Sequence, residues 1–323
     1  MAGSPFQRGV SKDIATGVMA TLVIFSASVF MPVIGFVFSI FIPLPVLFYR
    51  TKLGRRHGMI VPLLTIAIIG LVVGSATLDI IFFSGLMLLG FSLSELFEKP
   101  LSVEMTIVAA CGVVLGTGLG AMLIYSVVKG TGIISLVSTY VGTNLELSLK
   151  LYQEVGIPQE TIDTIAGSLD RIQYVLVRLL PSMVAASTLF VAWTNLIAAR
   201  PLLEHRGLAV PDFGRLNHWR APDMLIWGVI GSGVIILLPV SGLRLVGVNG
   251  LLIMLTIYFI QGIAIVSFFF EKKGLPRPLR VFIYTMIALQ QIFLLVVICI
   301  GIFDMWINFR KIGPDKREPD LPA

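Results

Sequence analysis

Long apolar runs separated by short polar stretches dominate the chain. A helix needs roughly 20 apolar residues to cross about 30 Å of hydrocarbon, and about nine runs approach that length. The candidate spans are approximately residues 14–30, 31–49, 58–75, 77–96, 103–128, 175–197, 223–241, 246–270 and 281–306. Stretches such as 66–73 and 293–302 are apolar on every side, whereas the strands of a β-barrel alternate apolar and polar residues. The pattern predicts an all-α, polytopic transmembrane helical bundle with eight or nine spans.

Composition supports a membrane protein. The 323 residues are 56% hydrophobic and 13% charged, against about 25% charged in an average soluble domain. The mean hydropathy is +0.95. Because the gaps between runs are short, we expect one transmembrane domain over 1–311 and a polar tail over 312–323. The first run continues into the second, which predicts a retained segment rather than a cleaved signal peptide.

The basic residues predict the orientation. The formal net charge is +6, and Lys and Arg cluster at the ends of the apolar runs, which indicates topology and anionic lipid rather than nucleic acid. If the first two runs form a hairpin, the clusters before residue 14, at 50–56, at 200–220 and at 272–280 share one side. The positive-inside bias makes that side, and the N-terminus, cytoplasmic. With nine spans, however, the basic tail from Arg310 would lie outside, so either one run fails to cross or the tail departs from the bias. The run 31–49 or the pair within 58–96 would then be the miscounted segments.

The loop 130–174 is predicted to lie outside, since it carries two positive and five negative residues. Apolar residues recur there at helical spacing, which indicates two amphipathic helices. They form either a packed connector or a lid over a substrate cavity.

The second run, 31–49, contains Pro43 and Pro45. Proline inside a membrane helix frees a backbone carbonyl, which must then be satisfied by neighbouring protein or water. This run is therefore predicted to be broken or partly re-entrant.

Polar side chains within the apolar runs are the candidate functional groups, because they are costly in hydrocarbon. The candidate substrate-binding residues are Asn249, Gln261, Asn195, Gln290, Arg178 and Asp304. They either make hydrogen bonds between helices or line a solute site.

Small residues recur at four-residue spacing at Gly112, Gly116 and Gly120, and again at Gly70 and Gly74. Such spacing allows close approach of membrane helices, either within this bundle or against a second copy or partner. No catalytic motif or metal-ligand spacing stands out, and the three histidines lie in basic loops. We therefore expect a protein that is not an enzyme and that uses no metal or other cofactor.

The last third of the chain contains Pro222-Asp223, then Gly247-Val248-Asn249, then the segment from Tyr258 to Gly262, and finally the segment from Gly301 to Lys311. In order and spacing these motifs resemble the YybS-like family of bacterial integral membrane proteins, a family of unknown function. With the orientation above, the resemblance implies a multi-pass protein of the bacterial cytoplasmic membrane. It also makes Asn249, Gln261, Asp304 and Arg310 positions to test.

That family is distantly similar to the S components of energy-coupling-factor vitamin importers, which bind a solute and dock to a shared ATPase module. The first part of this chain is S-component-like at 31–35 and 42–45. S components carry alanines four apart on the docking helix, whereas Ala15 and Ala20 here are five apart. Two hypotheses follow. The protein binds a small solute or takes part in its transport, with energy from a partner or a gradient; alternatively, it is a membrane scaffold or assembly factor for an envelope complex.

Overall fold

The computed structural model describes residues 5–31, 34–73 and 78–311, and the secondary structure in these ranges is helical. The helices are α1 Pro5–Phe30, α2 Gly35–Ile40, α3 Pro43–Gly58, α4 Ile60–Val73, α5 Leu78–Leu96, α6 Val103–Lys129, α7 Ile133–Glu154, α8 Gln159–Ala166, α9 Leu169–His205, α10 Leu225–Leu237, α11 Ser241–Lys272, α12 Arg277–Leu289 and α13 Gln291–Ile307. A single 3₁₀ turn, Leu216–His218, precedes α10. The predicted all-α class is confirmed.

The helices group into two compact units, Met1–Asp212 and Phe213–Ala323. The first unit is built around α3, α5, α6 and α9, and the second packs α10 and α13 against α11. The predicted tail 312–323 and Gly74 lie outside the described residues.

By length and composition, the described helices give slightly fewer candidate spans than the eight or nine predicted. Six of the described helices are long and apolar enough to cross a membrane, or seven segments if the bent pair α12–α13 is one span. The runs predicted at 58–75 and 223–241 fold as α4 and α10, of 14 and 13 residues. Helices of that length extend only about 20 Å, short of the roughly 30 Å of hydrocarbon.

The run predicted at 281–306 is not one straight helix. Helices α12 and α13 meet at Gln290 with a bend of 101°. Arg310, just after α13, donates to the carbonyl of Asn217, and the Asn217 amide donates to Glu271 at the end of α11. After α13 the chain therefore lies again at the end of the second unit where α11 ends, as a re-entrant pair of helices would place it.

The predicted break in the second run is present. Helix α2 ends at Ile40 and α3 begins at Pro43, which has no N–H. The N–H of Leu44 donates to Phe41 O (3.1 Å) in a tight turn, rather than to Ile40 O as a continuous α-helix would require. The carbonyl of Ile40 is therefore left for another donor.

The loop 130–174, predicted from its charges to lie outside, contains helices α7 and α8 and leads into α9. Two side-chain contacts hold α7 on its neighbours: the Tyr140 hydroxyl donates to Asp79 of α5, and the Gln173 amide of α9 donates to Ser138 O (2.8 Å) and Oγ (3.0 Å). A Cβ at Gly142 would touch the Gln173 amide, so glycine leaves room for this bond.

Candidate functional sites

In the second unit, two of the predicted residues, Gln261 and Asp304, meet in a buried polar network. Asp304 Oδ2 accepts from Arg310 Nη2 (2.8 Å) and from Gln261 Nε2 (3.4 Å), and Asp304 Oδ1 accepts from the backbone N–H of Phe309 (3.0 Å). The side chains of Asp304 and Arg310 are each 1% exposed. A buried carboxylate and guanidinium neutralise one another only with good geometry and additional hydrogen bonds, which this network supplies.

A close helix crossing positions this network. A Cβ added at Gly262 of α11 would collide with Val297 O, and one added at Gly301 of α13 would collide with Tyr258 O. Because both positions lack a side chain, the two backbones come into contact, and the neighbouring Gln261 and Asp304 are brought within reach. Around the crossing, Tyr258, Ile226 and Ile298 are buried together. Two of the segments that carried the family resemblance, from Tyr258 to Gly262 and from Gly301 to Lys311, therefore meet at this crossing.

The same network fixes the segment that leads into α10. Arg310 Nη1 donates to the carbonyls of Asn217 (3.0 Å) and Trp219 (2.9 Å), and the N–H of Ala221 donates to Gln261 Oε1 (3.1 Å). Arg220 Nη2 donates to Met305 O (3.0 Å) at the end of α13. These bonds engage Gln261, Asp304 and Arg310 within the unit, which is what a structural role requires. Only Arg310 Nε is left buried without a partner among the network's side-chain atoms.

In the first unit, Asn195 of α9 donates a hydrogen bond to the carbonyl that is left free at the break in the second run. Its Nδ2 donates to the carbonyl freed at Ile40 (2.7 Å) and to Val191 O of its own helix (2.8 Å). Its Oδ1 is buried without a hydrogen-bond partner. The donation to Ile40 is the carbonyl satisfaction that the prolines made necessary.

Asn249 and Gln290 are not part of the Gln261–Asp304 network. Asn249 Nδ2 donates to Leu245 O (2.8 Å) of its own helix, and Gln290 is exposed at the bend between α12 and α13. The predicted packing glycines of α6, together with Gly70, face open space, since a Cβ at each would meet nothing within 4 Å. They do not mediate packing among the described residues, and a face for a second copy or partner stays a prediction.

The remaining predicted residue, Arg178, lies at an open cleft between α7 and α9. The cleft has a volume of about 240 Å³ and is lined by Ile134, Ser138, Asp170, Gln173, Tyr174, Val177 and Arg178. The Arg178 guanidinium stacks 3.3 Å from the centre of the Tyr174 ring, and its Nη1 donates to Tyr174 O (3.2 Å). The cleft therefore combines a carboxylate, an oriented guanidinium, an amide and a hydroxyl.

The hydrogen bond from Tyr140 of α7 to Asp79 of α5 accompanies a shifted pKa of the phenol. Helix α7 lies outside the candidate membrane spans. Burial, the hydrogen bond to Asp79 and the charge of that carboxylate raise the pKa of Tyr140 to about 12. The phenol consequently stays protonated and keeps donating at any physiological pH.

Sequence reasoning missed one polar cluster. It treated Arg50 as a loop residue that sets topology, whereas Arg50 is buried in α3. Arg50 donates to Glu95 through Nε (2.8 Å) and to Ser94 O through Nη1 (2.9 Å), and it also pairs with Glu98. Glu95 and Glu98 lie three residues apart at the end of the fourth run. Two carboxylates at this spacing next to an apolar run could have indicated that a basic side chain packs against them.

Within residues 5–31, 34–73 and 78–311, no group of three or more His, Cys, Asp and Glu side chains is arranged to hold a metal ion.

Comparison with known proteins places the chain in a family. Residues 19–305 match the family described as Predicted membrane protein (DUF2232). The chain is also similar to "Uncharacterized protein YybS" of Bacillus subtilis (strain 168), at 20% identity over 293 residues that cover 88% of this chain and 91% of that protein. No solved structure matches the chain. The YybS-like resemblance seen in the sequence is confirmed: the chain belongs to the DUF2232 family of predicted membrane proteins.

Proposed function

We propose that this multi-pass membrane protein binds a small polar solute in the cleft between α7 and α9, as a transport-associated protein. The observation that carries the proposal is the set of opposed charges at the cleft, Asp170 and Arg178, beside Gln173 and Ser138. Ligand sites typically combine apolar walls with a few polar groups that fix orientation, and Ile134 and Val177 supply such walls here. Arg178 is exposed and held flat on Tyr174, which orients its planar donors.

The volume limits the size of the solute. About 240 Å³ lies just below the roughly 300–1,000 Å³ of most ligand pockets. A solute of a few heavy atoms with polar or charged ends suits the cleft better than a large apolar one. The S-component resemblance supports a role in which a partner or an ion gradient supplies energy, and α7 and α8 then belong to the binding region.

The test begins with purification in a mild detergent and identification of co-purified small molecules by mass spectrometry. Binding of the identified solute is then measured in Asp170→Asn and Arg178→Gln, with Arg171→Gln as the matched control. Arg171 is exposed on the same helix and does not line the cleft. We expect at least a tenfold weaker affinity in the first two variants and an unchanged affinity in the control. Equal affinity in all three, with unchanged melting temperatures, would reject the cleft as the site.

A membrane scaffold is the second candidate function. The observation in its favour is α6, where Gly112, Gly116 and Gly120 present an open stripe to which no described helix packs. A scaffold should retain a protein partner in gentle detergent. Crosslinking in intact cells distinguishes the two functions, because a chain recovered only as a monomer argues for solute binding.

A further inference from the structure

Four basic residues surround the turn between α11 and α12. They are Lys272, Lys273, Arg277 and Arg280, within nine positions of sequence. The first three are exposed, and Arg280 is half-buried with its Nε donating to Leu275 O (2.7 Å). This bond, together with the Leu275 N–H donating to Phe270 O (3.0 Å) and the left-handed Gly274, gives the turn a defined shape.

The acidic residue directly before the turn in sequence, Glu271, is engaged with other partners. Glu271 accepts from the Asn217 amide and lies 3.9 Å from Arg215 Nη1. Glu271 is the only acidic residue between positions 224 and 303, so the turn has a positive excess.

The turn lies at the end of a helix that is longer than the membrane is thick. Helix α11 has 32 residues and is about 48 Å long, against about 30 Å of hydrocarbon. Its last turns therefore extend towards the headgroups. The ring of Tyr284 in α12 packs on Phe270, two residues before the end of α11, with centroids 5.2 Å apart. The first half of α12 consequently lies at the same level.

Helix α12 exposes apolar side chains next to these cations. Val281 is 64% exposed and Phe282 61%, directly after Arg280, and Leu279 is also exposed. Basic residues combined with exposed apolar ones on a short helix are typical of elements that lie at the membrane interface.

We propose that the α11–α12 turn is a binding site for anionic phospholipid. Lys272, Lys273, Arg277 and Arg280 hold the phosphate and negative headgroup, while Val281 and Phe282 contact the upper acyl chain. Among the described residues none of these four cations forms an ion pair with a carboxylate, and this uncompensated charge distinguishes the site from general contact with lipid, because it favours anionic over zwitterionic headgroups.

A local fluorescence reporter tests the site. Phe282→Trp places an indole at the exposed position, and the emission difference from the parent chain isolates it from the native tryptophans. Both chains are reconstituted in phosphatidylcholine vesicles that contain equal fractions of either brominated phosphatidylglycerol or brominated phosphatidylcholine, since bromine quenches only nearby indoles. We expect the brominated phosphatidylglycerol to be enriched about five-fold or more at position 282.

Charge variants in the same reporter chain decide the cause. Replacing Lys272, Lys273, Arg277 and Arg280 by Gln should abolish the preference, and the milder K273Q/R277Q pair, at two exposed positions, should reduce it. The control K150Q/R171Q removes two exposed charges elsewhere and should leave it unchanged. Equal quenching by the two lipids in the reporter chain, or a preference that survives both sets of substitutions, would overturn the proposal.

Discussion

Asp304 and Arg310 illustrate how a buried charge constrains its partner. Each is 1% exposed, so the cost of removing it from water is recovered only while the other is present. Substituting one member leaves an uncompensated charge in the interior, whereas substituting both does not.

A double-mutant cycle tests this coupling. Asp304→Asn or Arg310→Gln alone should each lower the free energy of unfolding in detergent by about 3–5 kcal/mol, the typical loss when a buried pair is broken. The double variant should lose clearly less than the sum of the two. The control Asp223→Asn, a largely exposed carboxylate 3.9 Å from Arg220, should change it by less than about 1 kcal/mol. Additive losses in the double variant would show that the pair is not coupled.

Tyr140 gives a pH-dependent prediction. Its pKa in the folded chain is about 12, above the value of 10.0 for an unperturbed phenol. Folding therefore favours the protonated form, so the stabilisation is fully present below pH 10 and is lost as the pH rises towards 12. Absorbance of tyrosinate should show one late-titrating tyrosine fewer in Tyr140→Phe than in the parent chain, and thermal stability should fall less steeply above pH 10 in that variant. Identical titration curves for the two chains would contradict this.

Among the helices, glycine has two different environments. Gly262 and Gly301 lie where α11 and α13 touch, while Gly112, Gly116 and Gly120 of α6 face open space. The sequence singled out the α6 glycines because of their regular spacing, but spacing alone does not reveal which helix face meets a neighbour. The contact instead depends on the packing of α13 after the bend at Gln290.

Alanine substitutions distinguish these environments. Gly301→Ala should lower the free energy of unfolding by about 1–3 kcal/mol or more, since the added methyl meets backbone atoms that cannot rotate away. Gly116→Ala, with no atom within 4 Å of the added Cβ, should leave it unchanged or slightly raise it. Thermal melts in the same detergent compare the two variants. Equal stability of both would contradict a close backbone contact between α11 and α13 at Gly301.

The hydrogen bond between Asn195 and the proline break gives a second prediction about how the helices pack. Asn195→Leu removes the donor to the Ile40 carbonyl, a part-buried hydrogen bond between α9 and the end of α2. We expect a loss of about 1–3 kcal/mol in unfolding free energy, the usual cost of leaving a buried polar group unsatisfied. Asn144→Leu on α7, where the amide donates only within its own helix at an exposed position, serves as the control. No difference between the two variants would mean that the break is satisfied in another way.

For the whole molecule, the contacts of the second unit make a prediction about topology. Arg310 contacts Asn217 and Trp219, so the start of the tail and the basic segment before α10 share one end of that unit. Single cysteines at Arg215 and Lys311, in a chain with Cys111 and Cys299 replaced by alanine, should react with a membrane-impermeant maleimide from the same side. The positive-inside bias makes that side the cytosol and places a cysteine at Lys150 on the opposite side. Labelling of positions 215 and 311 from opposite sides would show that the chain after α13 does not come back to the end of the unit where α10 begins.

The sequence alone determined that the chain is a membrane-embedded helical bundle, because hydrocarbon leaves a backbone no partner except its own helix, and that requirement is visible in each apolar run. It also located the break at Pro43 and Pro45, since the missing N–H is a local property. Tertiary structure alone decided which polar groups meet. Gln261 and Asp304 are 43 positions apart and Asn195 and Ile40 are 155 apart, so their contacts depend on how the helices cross. The bend at Gln290 and the burial of Arg50 were likewise decided by packing, because neither leaves a periodic signal in the chain.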